Sequence, residues 1–383
     1  MKHTHARRLD AIEPSIFATM SQLALEHQAV NLGQGFPDFD GPPWIVDAFT
    51  DALRSAKNQY APMPGVQRLR RAVAGYHKTF YDLDWNAESD VTVTAGATES
   101  LFSTMMAFLD PGDEVVLFEP YYDSYFANCL LAGAVPVCVT LHAPEFRIDA
   151  EELASAISPH TRMIVVNNPH NPTGRMFSGE ELAIVAEIAR KHDLLVISDE
   201  VYEFLTFDDR QHIPFVTLPG MRERTITISS TGKTFGMTGW KIGYAIAVPS
   251  LTQAVRTVHQ FVTFAVNTPG QHAMAYGLEQ LTQYLPEFRA LYQRKRDLLY
   301  DGLRESTLRA ILPEGTYFMM VKLPEGVHDD VHCATRLVTE RRVAVIPPSV
   351  FYQNSDEGKS LLRLCFAKSD ETLREGIQRL QNC

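Results

Sequence analysis

Thr225-Ile226-Thr227-Ile228 runs through Ser229 into Ser230-Thr231-Gly232-Lys233, and a second lysine, Lys241, stands eight residues further on. The apolar run has the length and β-branched content of a buried strand. A lysine at the mouth of such a strand, in a Ser/Gly loop beside a second cation, can do two jobs. Its amine can form a Schiff base with an aldehyde, and the loop can hold a phosphate. A single lysine is far more often a solvated loop residue. The decision therefore rests on what else the chain brings to the same place.

Outward from this loop, from about residue 90 to 248, short apolar runs alternate with helical patterns. Asp90–Thr94 precedes a helix over Glu99–Leu109, and Glu114–Phe118 precedes a Pro-Tyr-Tyr loop and another helix. Met163–Val166 leads to Asn167-Asn168-Pro169-His170-Asn171-Pro172 and a helix over Gly179–His192, and Leu194–Ile197 ends at Asp199. Continuous apolar strands alternating with helices predict an α/β fold with a mostly parallel sheet covered on both faces. After a long charged helix over Leu285–Arg304, short strands are expected at Tyr317–Val321, Val343–Ile346 and Leu362–Phe366, with a helical tail from Glu371. This reads as a smaller α+β domain. The expected division is an arm at 1–44 that returns to the small domain, a large domain at 45–284 and the small domain at 285–383.

At 383 residues the chain is too long for one small core. A net charge of −11 without a long basic run points away from nucleic acid and anionic membranes, and no apolar run is long enough to span a bilayer. Cys129, Cys138, Cys333, Cys365 and Cys383 form no CxxC pair or Cys/His cluster, so neither a metal site nor a disulfide framework is expected. Reduced thiols and a polar start without a signal-peptide core suggest a cytoplasmic protein. His3 and His5 read as a disordered tail.

Ligands of parallel sheets sit beyond the carboxyl ends of the strands. The residues expected there each suit one part of a phosphorylated pyridine aldehyde. Gly96-Ala97-Thr98 opens a helix whose N–H groups can face an anion, though taken alone a plain tight turn explains it better. Tyr122, beside Tyr121 and Tyr125, offers a face for a flat ring, or simply packs. Asn171 sits in a rigid Asn-Pro turn, and its amide can reach a phenolate oxygen. Asp199 can keep a pyridine nitrogen protonated, or cap a helix. Tyr202 can donate to the phenolate oxygen, or pack. Ser230 and Lys241 suit the phosphate, and Lys233 suits the aldehyde. A second cation and a protonated ring nitrogen are expected to depress the pKa of Lys233. The joint occurrence at five strand ends is far more specific than any one member.

With these residues in hand, the chain resembles the class I/II, fold-type I pyridoxal-phosphate aminotransferases over essentially its whole length. The branch it looks most similar to holds bacterial methionine aminotransferases beside kynurenine aminotransferases and glutamine transaminase K. The motifs are Asn31–Phe39, Gln59–Pro62, Val93–Glu99, Asn171–Gly174, Asp199–Tyr202, Gly232–Phe235, Thr238–Lys241 and Arg363–Phe366. The resemblance implies a seven-stranded large-domain sheet and pyridoxal 5'-phosphate bound to Lys233. It implies Asp199 on the ring nitrogen, Asn171 and Tyr202 on the phenolate oxygen and Tyr122 on the ring. Gly96, Ala97, Thr98, Ser230 and Lys241 would surround the phosphate. It further implies a homodimer in which Tyr60 reaches the neighbouring chain's phosphate, and Arg363 as the clamp for a substrate α-carboxylate. Gly35, Phe17, Phe36 and, across the dimer, Phe264 would line the side-chain pocket, with Tyr60 at its edge. Many class I members carry arginine where this chain has Lys241; lysine keeps the charge and loses the two-donor fork. The implied reaction moves an amino group from methionine, or another neutral or aromatic amino acid, to a 2-oxo acid by a ping-pong route. The alternative is a kynurenine or glutamine aminotransferase with C–S β-lyase side activity.

Overall fold

The computed structural model describes residues 5–12 and 14–381. His3 and Cys383 lie outside the described residues, and His5 pairs with Asp10 at 2.8 Å. Along the chain the strands are β1 (Val30–Asn31), β2 (Val91–Thr94), β3 (Glu114–Glu119), β4 (Val135–Thr140), β5 (Thr161–Asn167) and β6 (Leu195–Asp199). Then come β7 (Thr225–Ser230), β8 (Gly243–Ile246), β9 (Arg309–Ala310), β10 (Phe318–Lys322), β11 (Val343–Ala344) and β12 (Leu361–Cys365).

Seven of them form one sheet in the order β2-β8-β7-β6-β5-β3-β4. β8 alone runs against its neighbours β2 and β7, and the other pairings are parallel. Alternation explains why the strands read as continuous apolar runs. Val115, Leu117, Met163, Val165 and Ile197 face one helical layer. Val116, Phe118, Ile164, Val166 and Val196 face the other. With both faces covered, neither set of alternate positions can be polar. The crossover helices carry their own signals. Helix Gly179–Lys191 starts on a Ser178/Glu181 capping box and ends on Arg190 and Lys191, the charge order its dipole favours.

The carboxyl ends of β2, β3, β5, β6 and β7 therefore share one edge. Opposite that edge lies the three-stranded antiparallel sheet β12-β10-β9. The early chain joins this part: β1 pairs in parallel with β11, and the Leu32 carbonyl accepts from the Cys365 amide at 2.7 Å. The Asn171–Gly174 turn is docked on the same side, because the Gly174 carbonyl accepts from the amides of Glu314 and Gly315 at 2.8 and 2.9 Å. Arg175 bridges Glu181 and Glu314 beside it. Among the described residues, no helix is long and apolar enough to cross a membrane.

Three element readings need correction. The connector helix runs Leu281–Gly302, earlier than 285–304. Only Val343–Ala344 of the expected 343–346 strand pairs as a strand, since Ile346 makes an isolated bridge to Arg363. Strands β4 and β8 lie outside the runs that the sequence pattern predicts. β4 is an edge strand interrupted by Pro136, and β8 is a four-residue strand that begins on glycine.

Candidate active site

A cavity of about 300 Å3 lies between the strand-end edge and the arm. Gly96, Ala97, Thr98, Tyr122, Asn171, Asp199, Tyr202, Ser230, Lys233 and Lys241 line its sheet side. Phe17, Gly35, Phe36 and Arg363 line the opposite side. Tyr60 and Phe264 stand apart from it. They are 84% and 38% exposed and pack edge-on against each other at 5.5 Å between ring centroids.

One end of the cavity is built for an anion. Helix Gly96–Phe108 starts at Ala95 without a side-chain cap, so its first-turn N–H groups face the cavity with the positive end of the helix dipole. Glu99 secures this start by accepting from the Ala95 amide and pairing with His259, whose other ring nitrogen reaches the Met63 carbonyl at 2.9 Å. Lys241, in a left-handed conformation, donates to Thr98 Oγ1 at 2.9 Å. Ser230 caps the short helix Thr231–Thr234, accepting from the Gly232 amide at 3.2 Å. Gly243 packs so closely under this corner that a Cβ there would lie 2.5 Å from the Gly96 carbonyl carbon and 2.6 Å from the Ala97 nitrogen. Gly243→Ala is expected to cost about 1–3 kcal/mol through overpacking and to lower the melting temperature by several degrees. An unchanged melting temperature would contradict this close approach.

The middle of the cavity holds a buried carboxylate. Asp199 accepts from Tyr125 Oη at 2.6 Å and from the Val201 amide at 3.3 Å. No ion pair reaches it among the described residues. Burial pushes its pKa up to about 6 against those hydrogen bonds and the weaker pull of Lys233. Such a group is completed by a cationic N–H donor. Asn167 fixes the neighbouring turn: its Nδ2 donates to the Asp199 carbonyl at 2.9 Å and its Oδ1 accepts from the Asn171 amide at 2.7 Å. Tyr202 is buried, and burial raises its phenol pKa, which keeps the hydroxyl a donor. Tyr122 sits edge-on to Tyr125 at 5.5 Å.

Lys233 projects from the Thr231–Thr234 helix into this space. Its Nζ donates to Tyr317 Oη at 2.7 Å and lies 3.4 Å from the Gly35 carbonyl. Its pKa is pushed down to about 8. The first cause is burial; Lys241 and Arg363 add to it, while Cys365 and Asp199 oppose it. The depression expected from a second cation is thus mainly a desolvation effect. The depression enlarges the neutral fraction of the amine near neutral pH, as a base or nucleophile needs.

Arg363, 1% exposed, forms the far wall. It donates to Asn171 Oδ1 at 3.1 Å and to the Gly33 carbonyl at 3.0 Å, and its guanidinium lies 4.1 Å from the Phe318 ring centre. Its Nε is buried without a partner. A fixed, desolvated fork of this kind is suited to a carboxylate. The unpaired Asp199, the uncapped helix start and the open guanidinium fit a ligand with a cationic ring nitrogen and a phosphate, beside a carboxylate.

Sequence reasoning passed over three residues of the site. Tyr125 carried a signal, since it lies three residues after Tyr122 at a helix start and so returns to the same side. Asn167 is the last residue of β5, a strand-end position like that of Asp199 on β6. Tyr317 had none, because only the packing of the small sheet against the large one brings it to Lys233.

The mostly parallel sheet, the lysine at its carboxyl edge and the opposed arginine define a transferase, and the chain belongs to the aminotransferase class I and II family, whose profile matches residues 27–380. It is a transaminase of the fold-type I architecture. Among its relatives, methionine aminotransferase of Escherichia coli strain K12 is 42% identical over 98% of this chain and 97% of that protein. Kynurenine–oxoglutarate transaminase of Dictyostelium discoideum is 39% identical over 98% of this chain and 95% of that one. The solved N-succinyldiaminopimelate aminotransferase of Mycobacterium tuberculosis superposes with a TM-score of 0.96 at 42% identity, covering 99% and 100% of the two chains.

Proposed function

We propose that the protein uses pyridoxal 5'-phosphate to take the amino group from methionine, and from aromatic and other neutral amino acids, and deliver it to a 2-oxo acid in a ping-pong cycle. The convergence of Lys233, the unpaired Asp199 carboxylate and Arg363 on one cavity carries this reading. The cofactor supplies an aldehyde for the substrate nitrogen and a protonated ring that takes up the electron pair of the broken α-C–H bond. The helix start at Gly96, Ala97 and Thr98 holds the phosphate together with Ser230 and Lys241. Asp199 keeps the ring nitrogen protonated, Asn171 and Tyr202 hold the phenolate oxygen, and Tyr122 covers the ring. Arg363 holds the substrate carboxylate and thereby sets which α-bond is aligned for cleavage. Lys233 Nζ takes the proton from the α-carbon.

The side-chain end of the cavity favours a neutral, apolar donor. Phe17 and Phe36 stand there with Gly35, and Arg363 is the only arginine lining the cavity among the described residues. An N-succinylated donor would bring a further carboxylate with no second arginine to meet it. Sulfur–aromatic contact adds modestly to methionine binding. The same aromatic wall favours a second reading, a kynurenine or glutamine aminotransferase with cysteine-conjugate C–S β-lyase side activity.

The arrangement of Tyr60 and Phe264 supports a homodimer with shared sites. Both lie outside their own chain's cavity, and Phe261, three residues before Phe264 in the chain, is 86% exposed. In a dimer they would complete the neighbour's pocket, with Tyr60 at its phosphate. We retain the division at 1–44, 45–284 and 285–383, supported by the pairing of β1 with β11. We also assign the protein to the cytoplasm, supported by the buried thiols Cys129, Cys138 and Cys365.

A panel of amino donors against several 2-oxo acids tests the substrate reading. Methionine and phenylalanine are expected to exceed aspartate in kcat/KM by at least about tenfold. Preference for aspartate or an N-succinylated donor would overturn it. Pyruvate release from a cysteine conjugate, outpacing oxo-acid formation, would favour the lyase.

A further inference from the structure

We propose that Tyr317 is the holding site for the Lys233 amine whenever that amine is not bonded to another group, and that the Gly35 carbonyl orients Tyr317 for this task. The proposal deepens the reading of Lys233 as the reactive lysine and rests on it.

The geometry assigns the direction of each hydrogen bond. Tyr317 Oη donates its single proton to the Gly35 carbonyl at 2.6 Å. Toward Lys233 Nζ, 2.7 Å away, the phenol oxygen can then only accept. An acceptor at that distance favours the ammonium form. The Gly35 carbonyl, 3.4 Å from the same nitrogen, adds a second negative dipole. A lysine that has just taken a proton from carbon would find its charge stabilised where it comes to rest.

The tyrosine is also held in place. It is buried and packs edge-on against Tyr202 at 5.2 Å and nearly parallel to Tyr292 at 6.3 Å. The preceding residue, Thr316, has φ +64°, a conformation that a β-branched side chain rarely adopts. Neighbours enforce it: the Thr316 amide donates to the Leu205 carbonyl at 2.9 Å, Thr316 Oγ1 accepts from the Phe318 amide at 3.0 Å, and the Tyr317 carbonyl accepts from the Phe366 amide at 2.9 Å. Strain held by two hydrogen bonds on Thr316 and one on Tyr317 itself is an aiming device for the tyrosine.

Gly35 leaves no slack on the other side. A Cβ there would meet Phe318 Cζ at 2.7 Å. Other charged or titratable groups around Lys233 are Asp199 at the end of β6, Tyr202 just after it, Lys241 after β7, and Arg363 and Cys365 on β12. The hydrogen-bond partners of the amine are Tyr317 and the Gly35 carbonyl rather than any of these groups.

Labelling of the cofactor-free protein with acetic anhydride across pH, read at the Lys233 peptide by mass spectrometry, tests the assignment. The reagent attacks the neutral amine. Tyr317→Phe and Tyr317→Met remove the acceptor, so the half-labelling pH of Lys233 should fall by about one unit in either variant. A tyrosine that merely packs would leave the half-labelling pH within about 0.2 units of wild type, and that result in a folded variant overturns the proposal. In the loaded enzyme, kcat should fall about tenfold with KM little changed. Failure of every donor in the amino-acid panel would contradict the aminotransferase reading while leaving the labelling result to judge the holding site.

Discussion

Lys233→Ala is expected to lower kcat for amino transfer by at least about a thousandfold, while the protein still binds pyridoxal phosphate. The loss should be this large because no neighbouring base can substitute. Tyr202 and Tyr317 are held protonated by burial, and Asp199 is engaged with Tyr125 and the Val201 amide. Cofactor retention should follow because the anion end is built from other groups, namely the helix start at Gly96, Ser230 and Lys241. Rapid-mixing measurement of a single half-reaction reads the first effect and equilibrium dialysis the second. A variant that keeps a tenth of the wild-type rate would contradict the role of Lys233.

Arg363→Lys is the other large effect, with kcat/KM for amino acids falling about a hundredfold. Arginine presents two fixed donors to a carboxylate, whereas lysine presents a point charge on a flexible stem. Loss of one charge-assisted hydrogen bond in a buried site is worth about 1.5–3 kcal/mol, which is about ten- to a hundredfold. The upper end applies here because Arg363 also satisfies Asn171 Oδ1 and the Gly33 carbonyl. A shorter cation would leave those oxygens partly unmet and loosen the turn carrying Asn171. Steady-state kinetics with methionine measures the effect, and a change below threefold would contradict the clamp.

The contrast between these two residues shows what sequence can convey. Lys233, Asp199 and Asn171 follow strands that are apolar on both faces, so the strand pattern alone brings them to one edge. Arg363 has no such context: it is a strand arginine in a different sheet, and only the family resemblance marked it. Tyr317 is harder still, since its position depends on the docking of the small sheet and a strained threonine that no composition signal reveals. Strand β4 shows a related limit at the fold level. Pro136 interrupts its pattern, which an edge strand tolerates because one side lacks a partner. The depressed pKa of Lys233 was foreseeable in direction, but its main cause is burial, a property of the packed molecule.

The most direct test of the central claim is borohydride reduction of the protein mixed with pyridoxal 5'-phosphate, followed by proteolysis and mass spectrometry. The reduced phosphopyridoxyl group is predicted on Lys233, the lysine whose amine lies between Tyr317 and Gly35 in the cavity. Its appearance on a different lysine, or on none, would contradict the account.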